Sequence, residues 1–222
     1  MNYEETHIER HRSNDITSGI LHLIGVLLAV AVLATLLVLG VREGSAWHVV
    51  GYSLYGVGLI LLYFSSALYH FVPERMARFK HLARRFDHVM IYVLIAATYT
   101  PITFIVFSGG WRWSLFGVIW GLAAIGVVIK LLWLDVPKFL PVILYAVMGW
   151  LIAIAFSPLI EGMSGTTLIL LIAGGLSYTI GILFFTLERV LPPRKYFWMH
   201  EIFHVFVLGG SALHTIVMFR IV

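Results

Sequence analysis

His200 and His204 stand four residues apart in the stretch His200-Glu201-Ile202-Phe203-His204, at the start of the last apolar run of the chain. On an α-helix that spacing separates two side chains by roughly 40° and about 6 Å, so both imidazoles share one face. Two neutral imidazoles on one face are half of a zinc site, and a catalytic zinc adds one more protein ligand and a water. Ser66 and His70 repeat the spacing in Ser65-Ser66-Ala67-Leu68-Tyr69-His70. His70 is therefore the candidate third nitrogen ligand, and Ser66 a group that orients a neighbour of the metal or touches substrate. Asp87, within Arg84-Arg85-Phe86-Asp87-His88, has two readings. One is a general base that binds the metal's water; the other is a first-turn carboxylate held by the helix dipole and the nearby arginines. Each of these residues also has a plain alternative: histidines at headgroup level with polar tips, and a small serine at a helix crossing.

His88 lies about 100° round the helix from Asp87, so it reads as a support or packing residue rather than a ligand. His22 has no partner four residues further on and reads as a hydrogen-bonded interior histidine. His214, ten residues beyond His204, is roughly 15 Å too far along the helix to share its metal. His7, His11, His48 and His81 read as solvated residues of tails or loops. The pentapeptide at 200–204 is also a literal H-E-x-x-H, in which Glu201 would be a protease base. That chemistry needs an acidic ligand from a separate motif, and Asp135 sits in a loop beside Pro137. Stacked haems are disfavoured because no other span offers a histidine pair to match His200 and His214.

The elements that must hold these residues are membrane spans. Of 222 residues 60% are hydrophobic and 12% charged, with a mean hydropathy of +0.95. A water-soluble domain of this length cannot bury so much apolar surface. Seven apolar segments, each near the ~20 residues that cross the hydrocarbon, fall at about Ser18–Val41, Trp47–Phe71, Phe86–Phe107, Ser114–Leu134, Phe139–Ile160, Thr166–Leu187 and Met199–Arg220. The expected fold class is all-α, a seven-transmembrane-helix bundle. It forms one domain over residues 1–222, with a tail at 1–17 and short polar connections, among them Pro73–Arg85. Pro101 should kink the third span. Trp47, Trp111, Trp113 and Trp198 mark span ends. With no cysteine, metal ligands are confined to His, Asp and Glu. The polar N-terminus reads as an uncleaved signal-anchor.

Lysine and arginine placement sets the expected orientation. With the N-terminus inside, twelve of the 15 fall in cytoplasmic segments, leaving Arg42, Arg112 and Arg220 outside. That bias places the N-terminus in the cytoplasm and the C-terminus outside. His70, Asp87, His200 and His204 then lie at one depth, in the cytoplasmic half, on three different helices. None of the four entered the charge count.

Ser66-Ala67-Leu68-Tyr69-His70, then Phe86-Asp87-His88 continuing through Tyr92 to Thr98-Tyr99-Thr100-Pro101, then His200 to His204 with His214, form an ordered set. That set resembles the hemolysin III-like bacterial branch of the progestin and adipoQ receptor family, within a wider group that includes the alkaline ceramidases. The resemblance covers essentially the whole chain. It implies a zinc ion held near the cytoplasmic face by His70, His200 and His204, with Asp87 as the water-binding acid and Ser66 as the motif serine. It further implies a zinc-dependent hydrolase of the bacterial inner membrane, acting on a lipid amide or ester, with a role in membrane-lipid homeostasis. The alternative from another class is a receptor-like sensor or regulator of membrane state with a structural zinc. Membrane lipid is the expected substrate or ligand, and no nucleic-acid partner is implied. Relatives with Gln in place of Glu201 argue against a required protease base. The short N-terminal tail departs from the receptor branch, so a soluble hormone ligand is not expected. A compact bundle gives no chemical reason for pore formation.

Overall fold

Helices that are apolar on every side are stable where lipid replaces water, because each backbone N–H and C=O is satisfied within its own segment. The computed structural model describes residues 3–42, 45–132, 137, 139–188, 190–191 and 197–221, with the backbone alone for 3–13. Among these every regular element is a helix, without a strand. Helix α1 is Tyr3–Arg42, α2 is Ala46–Phe71 and α3 is Ala77–Pro101; a 3₁₀ turn, Glu74–Met76, precedes α3 and a π turn, Ile102–Val106, follows it. Helix α4 is Gly109–Leu132. Helices α5 (Phe139–Trp150) and α6 (Phe156–Gly162) form one rod through the 3₁₀ turn Leu151–Ala155, and α7 (Gly165–Leu187) and α8 (Met199–Arg220) complete the chain. The described residues contain 7 rods long and apolar enough to cross a membrane. The protein is a multi-pass, seven-helix membrane protein.

Helices α2, α3 and α8 are the most deeply buried, with α1 against α2 and α7 against α8. The outer faces are lipid-compatible, as Leu23, Leu27, Leu28, Ile169 and Ile180 illustrate. Close packing of α2 on α3 requires a residue without a side chain at Gly51, where a Cβ would stand 2.8 Å from Pro101 Cα. Tyrosines of α2 then tie it to α8: Tyr52 donates to Met218 O at 3.0 Å, and Tyr55 pairs with Thr215 Oγ1 at 2.9 Å. Tyr63 donates to Ser211 Oγ at 2.6 Å, and the same serine meets Tyr178 Oη of α7 at 2.8 Å.

Several expectations are corrected here. The connection expected over Pro73–Arg85 is mostly helix, so the third rod runs Glu74–Val106. Its basic residues lie on an amphipathic extension whose inner face carries Lys80 and Ala83, both buried. The tail at 1–17 is continuous with α1 from Tyr3 onward. At Pro101, where a kink is expected, α3 gives way to another helix type. The rod continues as a π turn, the local change of register that accommodates a missing N–H. The fifth rod carries its own break, and Tyr99 of α3 fills it: its hydroxyl donates to Met148 O at 2.7 Å and accepts from Ile152 N at 2.8 Å. His48 lies within α2 with buried ring nitrogens, and His81 lies exposed on α3. Leu134, Asp135 and Lys138, and the side chains of His7 and His11, lie outside the described residues.

Candidate metal centre

His70 ends α2 and His200 and His204 open α8, so three imidazoles from two helices meet at one end of the bundle. Their ligand atoms all lie within 4.8 Å of one another. His70 Nε2 and His200 Nε2 are 3.4 Å apart. Metal–nitrogen bonds of about 2.0–2.1 Å in a tetrahedron set nitrogen separations near 3.3 Å, so this pair already stands at a ligand spacing. The His204 ring centroid lies 4.5 Å from that of His200 and 5.2 Å from that of His70. His70 and His204 are buried and His200 half-buried. The group could hold a metal ion.

The far nitrogens of two of the rings are engaged by carboxylates. His70 Nδ1 lies 3.0 Å from Asp15 Oδ1, and His200 Nδ1 lies 2.9 Å from Glu188 Oε2. A carboxylate on Nδ1 holds the proton there and leaves Nε2 with its lone pair free, which is the tautomer a metal requires. Asp15 is itself held by Lys80, whose ammonium donates to Asp15 Oδ2 at 2.8 Å and pairs with Glu74 at 2.6 Å. The chemistry of this donor set fits a divalent transition ion such as zinc.

Helix α1 contributes a stripe rather than a single residue. Asp15, Ser18 and His22 follow at i, i+3 and i+7, one face of a helix, and each addresses a different part of the centre. Asp15 holds His70; Ser18 donates to Glu201 Oε1 at 2.9 Å. The His22 ring lies over that of His204, with centroids 3.9 Å apart and planes 30° apart. Glu201, 1% exposed, also accepts from Trp198 N at 2.8 Å, at the first turn of α8. It is committed to capping the helix, which leaves the protease-type role without a free base.

The remaining expectations divide. Ser66 is buried on α2, one turn before His70. Asp87 is half-buried on α3 and is not one of the three clustered ligands; its carboxylate lies 3.6 Å from His88 Nδ1. His88 bonds Arg84 O of its own helix at 2.7 Å, a packing role. His214 Nε2 donates to Leu171 O, 3.1 Å away, apart from the centre. The expectation that His22 is a hydrogen-bonded interior residue is wrong: neither ring nitrogen has a partner among the described residues. A lipid-facing groove of about 310 Å³ runs between α2 and α3, lined by Leu61, Phe64, Leu68, Phe79, Leu82 and Phe86. Ser66, His70 and Asp87 lie on the same two helices but do not line it.

Asp15, Glu188 and Lys80 were not singled out by motif reasoning. The available signal was position. Asp15 and Glu188 are acids at the edges of spans whose ends fall on the same side as His70 and His200, and Asp15 begins the polar stripe of α1.

Comparison with known proteins bears on the whole chain. Residues 10–215 match the family described as haemolysin-III related. A hemolysin-3 homolog of Bacillus subtilis (strain 168) is 38% identical over 198 residues, covering 89% of each chain. Hemolysin-3 of Bacillus cereus is 37% identical over 215 residues, covering 96% of this chain and 94% of the relative. The monocyte to macrophage differentiation factor of Homo sapiens is 29% identical over 176 residues, 77% of this chain and 69% of that one.

Proposed function

The chain belongs to the haemolysin-III related family, and on that premise we propose that it is a zinc-dependent hydrolase of a lipid amide or ester, serving membrane-lipid homeostasis. The observation that carries this reading is the trio His70, His200 and His204, with carboxylates on the Nδ1 atoms of two of them. Three neutral ligands leave a coordination position open, as hydrolytic rather than purely structural zinc sites do. Zinc held there would supply a water with its pKa lowered to about 7 and polarise a carbonyl oxygen. Asp87 is the group assigned to take the proton of the attacking water at its carboxylate. Ser66, one turn from His70, is assigned to orient the acyl group. The groove between α2 and α3 suits an acyl chain entering from lipid. The chain is inserted N-terminus in, in a bacterial plasma membrane, so that the centre faces the cytoplasmic leaflet; the distribution of Lys and Arg supports this orientation.

A second reading has its own support. The centre and its carboxylates join α1, α2, the end of α7 and α8, so a zinc there could serve as a staple in a non-catalytic sensor of membrane state. Fatty-acid release from a panel of lipid amides and esters, by purified protein with and without chelator, separates the two. The hydrolase reading expects release that chelation abolishes and zinc restores. No release across the panel, with zinc bound, would remove it. Asp87→Ala should cut release by at least about 100-fold while zinc content and thermal stability persist; loss of all three together would favour the staple.

A further inference from the structure

His22 is the member of the α1 stripe that has nothing to hold. Asp15 and Ser18 each bind a side chain of the centre, whereas both ring nitrogens of His22 are buried without a partner among the described residues. The residue is 3% exposed, within a membrane span. An imidazole in such a place is expensive unless something satisfies it, and a phenylalanine would pack as well at no such cost. Its ring meets that of His204, tilted by 30° with centroids 3.9 Å apart, and meets Tyr63 edge-on at 5.3 Å. Tyr63 does not serve it, because that hydroxyl is committed to Ser211.

Stacking also restricts what His22 can reach. It meets His204 ring against ring, with centroids 3.9 Å and planes 30° apart, and is not one of the residues whose ligand atoms cluster within 4.8 Å. An oxygen bound at those ligand atoms would lie within hydrogen-bond reach of such a ring. His22 accordingly falls outside the clustered ligand set yet lies against one of its members.

We propose that His22 is an oxygen-binding residue of the centre, whose ring N–H donates to the carbonyl or carboxylate oxygen of an acyl ligand held against His70, His200 and His204. The proposal rests on the metal-centre reading above. It adds a substrate contact from α1, a helix that does not line the groove between α2 and α3. A neutral imidazole suffices for this, with one nitrogen donating and the other free to accept from water or an amide N–H.

Cobalt(II)-loaded full-length protein in detergent, with laurate as the probe, tests it through the visible absorption of the metal. In wild type, laurate should perturb the cobalt spectrum saturably. His22→Phe keeps the stack but removes the nitrogens, and should weaken laurate by about 10-fold while cobalt affinity stays within about 3-fold of wild type. His22→Gln returns an N–H and should recover part of the loss, which also guards against a phenylalanine variant that folds poorly. Unchanged laurate affinity in both variants would overturn the inference and leave the metal centre standing. So would cobalt binding without a laurate response in wild type, or loss of cobalt in both variants, which would make His22 a ligand or a prop. Wild type that takes up no cobalt or zinc would overturn the metal-centre reading itself, and this inference with it.

Discussion

Two buried polar networks lie along α8, and they differ in one respect. Around Ser211 the hydroxyls of Tyr55, Tyr63 and Tyr178 are paired with one another's partners or with backbone carbonyls. Around His204, two turns earlier, the far nitrogens of His70 and His200 are paired, but Nδ1 of His204 and both nitrogens of His22 have no partner among the described residues. A closed network stabilises a helix pair and asks for nothing more. An open one, in an environment where unsatisfied polar groups are costly, implies a ligand. The hydroxyl ladder thus ties the bundle together, and the histidine end is the proposed working site.

The contrast breaks most visibly at His204. Removing one of three ligands by His204→Ala should reduce bound zinc from near one per chain to much less, with metal affinity down by more than about 100-fold. Elemental analysis of purified protein measures this, and stoichiometric zinc retained after loss of all three histidines would sink the assignment. Asp15→Asn is next. It removes the charge that fixes the His70 tautomer while keeping the shape, and should cost about 10–100-fold in zinc affinity by competition with a chelating dye. Glu188→Gln acts the same way on His200, but its carboxylate is 39% exposed, so water can substitute in part and the loss should sit near the lower end, about 10-fold. If Asp15 and Glu188 proved equal, burial would not be what ranks them.

Tyr63→Phe sharpens the other side. It deletes one hydroxyl from the closed ladder, and should leave zinc affinity unchanged while lowering stability by only about 0.6 kcal/mol, at most about 1.7, as interhelical hydrogen bonds in membranes do. Equilibrium unfolding in mixed micelles reads the difference. A loss of zinc in this variant would mean that the two networks are one.

Hydropathy and helical period, read along the chain, were enough for seven spans and for the His200–His204 face, because both are local properties imposed by lipid and by 3.6 residues per turn. Motif spacing also brought His70 into the group. The helical start of the third rod was missed because charged residues at a span edge look like loop until their inward neighbours, Lys80 and Ala83, are known. The stripe Asp15, Ser18, His22 was legible in principle at i, i+3, i+7, and only the target of each residue was not. Asp15 meets His70 across 55 positions and Ser18 meets Glu201 across 183. Those meetings follow from how α1 rotates and slides against α2 and α8. That rotation is set by the fit of small residues and rings, such as Gly25 under Tyr63 and Gly56 under Leu33, and a linear pattern does not contain it. The sequence by itself determined the spans and the three histidines that cluster. Tertiary packing alone decided which carboxylate holds which imidazole, and left His22 facing the centre with its nitrogens unclaimed.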